Sequence, residues 1–254
     1  MEQIGLVGYV LATLAYGVFF LLLFVTKQKT MISHLLLLAI VAGIAASVTT
    51  ALQLFLSFSL LVAFFVEAVK LALFTIFILS IRYTPQNSKQ LISHPTVIKY
   101  LSLMTVALAL SLASVLYQQS YSLMFLTFLS LNLYPLVLLE QLYRNASDKI
   151  RWSLWPLIIA LGALFVFDFI LFAQGALIKS LDFNFWYSRG YIASLAVPFF
   201  MLSSKRIKNL NADIFVSREV VFYSSMLAIC GIYLLLLAFA GTLFVYWTVN
   251  GVNF

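Results

Sequence analysis

Charged residues are scarce in this chain of 254 residues: they make up 9% of it, against about a quarter in a soluble globular domain. Hydrophobic residues make up 64%, and the mean hydropathy is +1.07. This composition excludes a soluble protein. The apolar runs are long and continuous instead of alternating in segments of about ten residues, which excludes a membrane β-barrel. We therefore predict an all-α, polytopic membrane helix bundle that forms a single domain over residues 1–254.

Cysteine and histidine are nearly absent as well. The single cysteine, Cys230, lies within an apolar run, which excludes a disulfide framework or a cysteine metal cluster. The two histidines lie far apart, His34 before one apolar run and His94 before Pro95, and they do not predict a metal site. The sequence contains no nucleotide-binding loop, nucleophile elbow or HExxH pattern. It therefore offers no catalytic residue, no metal ligand and no cofactor-binding motif of its own.

The apolar runs are long enough to cross a bilayer, which takes about 20 helical residues. Runs and breaks place eight helices near residues 4–25, 32–52, 55–81, 97–117, 121–140, 152–176, 185–203 and 219–247. The second and third runs are joined by an apolar turn, but one helix over both would be far longer than a bilayer is thick. We therefore predict two crossings there and eight in the whole chain.

The basic residues divide unequally between the two sides that these crossings define. One side carries Lys27, Lys29, Arg82, Lys89, Lys99, Arg144, Lys149, Arg151, Lys205, Arg206, Lys208 and Arg218. The other side carries Lys179 and Arg189. By the positive-inside rule the first side is cytoplasmic, so both termini are predicted to lie outside. The net charge of +7 then reflects topology and contact with anionic lipids of the bilayer, and nothing in the sequence indicates nucleic acid binding.

Two charges interrupt the apolar run FFVEAVKLALF at residues 64–74. Glu67 and Lys70 are three residues apart on one helix face, roughly 22 Å and 18 Å from the inner boundary at about 1.5 Å per residue. Asp168 in the sixth helix lies at a similar depth, roughly 25 Å from that boundary. An isolated charge at this depth costs several kcal/mol, so we predict that Lys70 pairs with Glu67, Asp168 or both. The pairing either carries a signal or only fixes helix packing.

Two further patterns concern helix geometry. Asn132 precedes Pro135 in the fifth helix, where the proline removes a backbone hydrogen bond and predicts a kink. This kink is a candidate hinge, although fixed geometry is the alternative. Ala39, Gly43 and Ser47 recur every four residues in the second helix and predict a close contact with another helix.

Four stretches near the inner helix ends carry a resemblance to a known family. They are LEQLYRN at residues 139–145, RWSLWPLIIALGALFVFDFILF from residue 151, SRGYIASLAVPFFMLSSKR from residue 188 and DIFVSREVVFYSS at residues 213–225. In this order they resemble the membrane-embedded N-terminal region of the PrsK family, the histidine kinases of the PEP-CTERM system. The likeness spans residues 139–247 well. It covers the earlier helices more loosely, where EAVK at residues 67–70 matches a similar acid-and-base pair.

The resemblance implies a two-component sensor kinase in the inner membrane of a Gram-negative bacterium, with its N-terminus in the periplasm. Such a kinase works as a homodimer with a response regulator and controls exopolysaccharide and PEP-CTERM protein production. Its GAF-type domain and its kinase core, which binds ATP and Mg²⁺, are absent from this chain. Because the last residues are predicted to lie outside, we expect a ninth crossing before that core. The resemblance also makes Glu140, Arg144, Arg218 and Glu219 a candidate coupling segment, with simple anchoring at the interface as the alternative.

Two other classes of function stay open. A transporter or small-solute channel of the inner membrane favours helices broken by Gly or Pro near the midplane in matching halves, and only Pro135 fits. An integral-membrane enzyme needs paired acids or histidines at the membrane surface. Glu140 and Asp148 alone do not make that case.

Overall fold

The computed structural model describes residues 2–25, 30–56, 59–83, 85, 88–118 and 120–208. These residues form helices and no strand, which confirms the predicted all-α class. The helices are α1 (Glu2–Val25), α2 (Met31–Leu56), α3 (Leu60–Tyr83), α4 (Ser88–Ile92), α5 (Pro95–Gln118), α6 (Ser122–Asn145), α7 (Asp148–Ile178) and α8 (Phe183–Lys208). Apolar runs of this length form helices in a bilayer because a helix satisfies its own backbone hydrogen bonds where water is scarce.

The helices begin and end close to the predicted runs, with one correction and one addition. Residues 55 and 56, predicted to open the third helix, belong to the end of α2, and α3 begins at Leu60. The addition is α4, whose five residues are too few to produce a recognisable apolar period. Pro95 opens α5, where the missing N–H of a proline costs no helical hydrogen bond. The predicted helix at residues 219–247 lies outside the described residues.

Among the described helices, six are long and apolar enough to cross a membrane: α1, α2, α3, α5, α6 and α7. The seventh predicted crossing corresponds to α8, which has 26 residues but is less apolar. Large apolar side chains are exposed on outward faces, for example Leu14 and Leu21 on α1 and Leu103 and Leu110 on α5. Such faces are stable against lipid chains and unfavourable against water. The chain is thus a multi-pass membrane protein.

The long helices pack into a closed ring. α1 contacts α2, α2 contacts α3, α3 contacts α6, α6 contacts α7, α7 contacts α8, and α8 returns to α1. α5 lies beside this ring, mainly against α6. Within the ring, α3 and α8 stand on opposite sides. Side chains that point inward from α3, α7 and α8 therefore share one interior.

The ring closes at a close contact between α1 and α8. A Cβ atom on Gly190 would lie 2.5 Å from backbone atoms of Gly8 and Tyr9, so the two helix backbones touch there. Across the same contact, the hydroxyl of Tyr191 donates a hydrogen bond to the carbonyl oxygen of Ile4 at 2.7 Å. Small residues allow such an approach because no side chain separates the backbones. This contact fixes the position and the rotation of α8 in the ring.

The small-residue stripe of α2 is also a packing surface. Ala39, Gly43 and Ser47 are all buried. A Cβ atom on Gly43 would lie 3.3 Å from the ring of Tyr16 on α1. The Ser47 hydroxyl donates to the carbonyl oxygen of Gly43 at 2.9 Å, so the one polar group of the stripe is satisfied within its own helix. The stripe therefore positions α2 against α1.

The basic residues gather at one end of the ring, which we call the basic end. α3, α6 and α8 end there, and α5 and α7 begin there. Bases at this end include Arg82, Lys89, Lys99, Arg144, Arg151, Lys205 and Arg206. At the opposite end, residues 57–59, 119–121 and 179–182 are all that separate consecutive helices, and Lys179 is the base among them. The positive-inside rule assigns the side that is richer in basic residues to the cytoplasm. The cytoplasmic location of the basic end stays a prediction.

Candidate functional site

Within the part of the chain that the structure describes, four charged side chains meet inside the ring, and we call them the ionic cluster: Glu67 and Lys70 of α3, Asp168 of α7 and Arg189 of α8. Glu67 and Lys70 share a helix face because they are three residues apart. The Lys70 Nζ atom lies 2.5 Å from Oε2 of Glu67 and 3.9 Å from Oδ2 of Asp168. Lys70 therefore stands within ion-pair distance of both carboxylates, one on its own helix and one on α7.

Arg189 links the two carboxylates. Its Nε atom donates to Oδ1 of Asp168 at 2.7 Å, and its Nη2 atom donates to Oδ2 of the same residue at 3.0 Å. This is the bidentate arrangement that a planar guanidinium favours. The same Nη2 atom donates to Oε2 of Glu67 at 2.8 Å. One guanidinium thus joins α8 to its neighbour α7 and, across the ring, to α3.

The position of Arg189 corrects the sequence analysis, which counted it among the bases of the outer side although the helix predicted near residues 185–203 contains it. It is only 5% exposed and lies inside α8, which begins at Phe183. The carboxylate of Asp182 accepts a hydrogen bond from the backbone N–H of Asn184 at 2.8 Å. Asp at this position is a helix-start signal, and it was available in the sequence. Recognising it moves the start of the predicted helix from residue 185 to Phe183, so that Arg189 lies almost two turns inside the helix.

The ionic cluster is electrically balanced, with two carboxylates against an ammonium and a guanidinium. Glu67 is 4% exposed and Asp168 is 8% exposed, so the carboxylates are largely removed from solvent and lipid. Buried charges of this kind persist when they are paired and hydrogen-bonded. Removing one member leaves a charge without compensation in the interior. Such an arrangement ties the positions of three helices to one set of contacts.

Aromatic rings cover the ionic cluster on the side away from the basic end. The ring centroid of Phe64 lies 6.2 Å from that of Phe172 and 5.5 Å from that of Trp186. The guanidinium of Arg189 lies over the Trp186 ring, 4.6 Å from its centroid, at a distance suited to a cation–π contact. The hydroxyl of Tyr9 on α1 donates to the carbonyl oxygen of Trp186 at 2.6 Å, which fixes this part of α8 against α1.

A second aromatic layer covers the ionic cluster on the side of the basic end. Phe74 of α3 lies 6.5 Å from Phe165 of α7 and 5.8 Å from Phe200 of α8, measured between ring centroids. Phe19 of α1 stacks on Phe200 at 6.3 Å. The helices that carry the charged residues thus also carry aromatic rings on both sides of the ionic cluster. The two layers separate the ionic cluster from both ends of the ring.

A cavity of ≈ 20 Å³ lies beside the ionic cluster, with Tyr9, Tyr16 and Arg189 among its lining residues. This volume has room for about one water molecule. The Nη1 atom of Arg189 is buried and has no hydrogen-bond partner within the part of the chain that the structure describes. Among the described residues, the free space beside the charges is therefore small, and the ionic cluster is a closely packed internal contact.

The candidate hinge residues lie in the interior of α6. Asn132 and Pro135 are both buried, and α6 continues through the proline as one helix. The Nδ2 atom of Asn132 donates to the carbonyl oxygen of Phe128 at 2.8 Å, one turn earlier in the same helix. This bond is local and gives no indication of movement. A hinge at this position stays a prediction.

The candidate coupling segment is described only in part. Glu140 and Arg144 are four residues apart on α6, and Nη1 of Arg144 lies 3.3 Å from Oε1 of Glu140. A partly exposed pair of this kind contributes at most about 0.5 kcal/mol. Arg218 and Glu219 lie outside the described residues. A coupling role for these residues stays a prediction.

Comparisons of this chain with protein-family models, with curated proteins and with solved structures find no match. Fold and site define the class of the molecule as a multi-pass helical membrane protein with a charge-balanced ionic cluster in its interior.

Proposed function

We propose that this chain is the membrane-embedded signal-sensing and transducing region of a two-component sensor histidine kinase of the PrsK type. In this proposal it lies in the bacterial inner membrane with its N-terminus in the periplasm and acts as a homodimer. It passes its signal to a kinase core that binds ATP and Mg²⁺, and from there to a response regulator. The output is control of exopolysaccharide and PEP-CTERM protein production. The resemblance of residues 139–247 and the ionic cluster support the proposal.

The observation that carries the proposal is the double contact of Arg189. A sensor needs two helix arrangements of similar free energy and a contact whose strength differs between them. The bidentate bonds to Asp168 join α8 to its neighbour α7, whereas the bond to Glu67 reaches across the ring to α3. A stimulus that moves α7 and α8 together would keep the first contact and break the second. The ionic cluster is thus suited to hold one of two arrangements.

The connectors indicate where a stimulus would act. At the end opposite the basic end, three connectors are only three or four residues long: residues 57–59, 119–121 and 179–182. Segments of this length cannot fold into a ligand-binding domain. This supports sensing within the bilayer or at its outer face. It also supports a stimulus that changes helix packing directly, such as a change in the membrane or a small apolar ligand.

The proposal is tested first by the size of the native gene product in source membranes, using an antibody raised against this chain. A band far above 28.6 kDa supports a sensor region joined to a kinase core. A band at 28.6 kDa contradicts it, because the kinase core would then be missing from the protein. Solute flux in proteoliposomes at a rate well above that of empty vesicles would favour transport, the alternative function.

A second test uses Lys70→Met in the complete native protein. The substitution leaves Glu67 and Asp168 opposite Arg189 alone, so it changes the balance between helix arrangements. A change of about 1.4 kcal/mol shifts their ratio about tenfold, and we expect basal exopolysaccharide output to change by that order. Output and membrane protein level are measured together in cells, with the exposed Lys89→Met as the matched control. Wild-type output from the Lys70 variant at wild-type protein level would contradict a signalling role.

A further inference from the structure

A long groove runs between α5 and α6 on the outside of the ring. Its volume is ≈ 640 Å³, far more than the cavity at the ionic cluster. On α5 its lining extends from Pro95 to Ala107, and on α6 from Leu123 to Tyr134. The groove exists because α5 packs beside the ring and stands partly away from α6. It faces the surroundings of the helix bundle and not the interior.

The walls of the groove are mostly apolar. Leu103 and Ala107 of α5 and Leu123 and Leu126 of α6 are among its lining residues. Pro95 and Ala107 are twelve positions apart, or about 18 Å along a helix at 1.5 Å per residue. One leaflet contributes about 15 Å to the apolar core of a bilayer. The groove therefore has the length and the character to hold one extended acyl chain of a single leaflet.

The groove becomes polar toward the basic end. The rings of Tyr100 and Tyr134 stack there with centroids 5.0 Å apart, and the Tyr100 hydroxyl lies 3.2 Å from the Thr75 hydroxyl of α3. Lys99 and Thr96 line the groove at the same end. Lys99 is exposed, and it forms no ion pair with the residues that the structure describes. No acid lines the described groove, so its charge is positive.

We propose that this groove binds one anionic phospholipid of the leaflet at the basic end. The lipid phosphate contacts the Lys99 ammonium beside the hydroxyls of Thr96 and Tyr134, and an acyl chain lies along Leu103 and Ala107. Basic pockets between transmembrane helices bind anionic headgroups in this way, and the apolar groove holds the chain. The proposal goes beyond the proposed function and does not depend on it.

The test measures how many lipids the purified full chain retains, by native mass spectrometry after reconstitution in vesicles of equal parts phosphatidylglycerol and phosphatidylcholine. We expect one phosphatidylglycerol per chain to be retained in preference to phosphatidylcholine. Lys99→Gln should weaken its retention about fivefold, since a basic residue near an anionic lipid surface has an effect of that order. Ala107→Trp should abolish retention by filling the groove. Lys89→Gln, an exposed base at the same end that does not line the groove, should leave it unchanged.

Each of the following results would overturn the proposal. Equal retention of the two lipids, or wild-type retention by Lys99→Gln, would show that the groove does not recognise an anionic headgroup. Wild-type retention by Ala107→Trp would place the lipid elsewhere. Conversion of a dimer to a monomer by Ala107→Trp, without loss of lipid, would identify a second copy of this chain as the occupant. Because Lys99 is exposed, Lys99→Gln is expected to fold normally. It therefore keeps the test decisive even if Ala107→Trp does not fold.

Discussion

Replacing Arg189 by methionine is expected to lower the free energy of unfolding by about 3–5 kcal/mol, the typical cost of removing one partner from a buried ion pair. Asp168 loses its bidentate partner, and Glu67 loses one of its two cations. Two carboxylates then face Lys70 alone, in an interior with room for about one water molecule. The measurement is unfolding in mixed micelles with a rising fraction of dodecyl sulfate, followed by tryptophan fluorescence.

Arg144→Met is the matched control, because it makes the same chemical change in an ion pair on the outside of the bundle. Arg144 pairs with Glu140 at 3.3 Å within one helix. A partly exposed pair of this kind within one helix is worth about 0.5 kcal/mol, so this variant should unfold much closer to wild type than Arg189→Met. Equal losses in the two variants would mean that the ionic cluster contributes no more than a surface pair.

The second large effect is expected for Gly190→Ala, which adds one methyl group where α1 and α8 touch. The new Cβ atom would lie 2.5 Å from backbone atoms of Gly8 and Tyr9. Backbone cannot move aside as a flexible side chain can, so the two helices must separate. We expect a loss of about 3 kcal/mol, at the upper end for overpacking, because the shift also displaces the neighbouring Arg189. The same unfolding measurement reports it.

Gly162→Ala is the control for this prediction, since it makes the same substitution inside α7. A Cβ atom on Gly162 would meet nothing within 4 Å. Alanine is the better helix former by about 1 kcal/mol, so this variant should be as stable as wild type or slightly more stable. If Gly190→Ala were also neutral, the close contact of α1 and α8 would not be a requirement of the fold.

The position of each charge in its apolar run decided how much of the ionic cluster could be predicted from the sequence. Glu67, Lys70 and Asp168 interrupt long runs, where a charge is costly and a partner is expected. Arg189 lies near the start of its run, where an arginine usually anchors a helix at the interface. Its inward direction follows from the packing of α8 against α1 and from the cap at Asp182, and hydropathy reports neither.

The helices themselves follow from hydropathy, because a bilayer leaves the backbone few other ways to satisfy its hydrogen bonds. The order of the helices around the ring does not follow from it. Gly8 and Gly190 meet although almost the whole described chain lies between them, and no period in the sequence links the two positions. In the same way, α5 and α6 are similar in length and apolar character, yet only α6 belongs to the ring.

The idea that the four charges act as one balanced unit is tested most directly by a double-mutant cycle with Lys70→Met and Asp168→Asn. The two charged groups lie 3.9 Å apart on different helices. Each single variant leaves an unbalanced charge inside the ring, whereas the double variant keeps Glu67 and Arg189, which are in contact at 2.8 Å. We expect the double variant to lose about 1–3 kcal/mol less of the free energy of unfolding than the sum of the two single losses. Single losses that simply add would contradict a balanced unit.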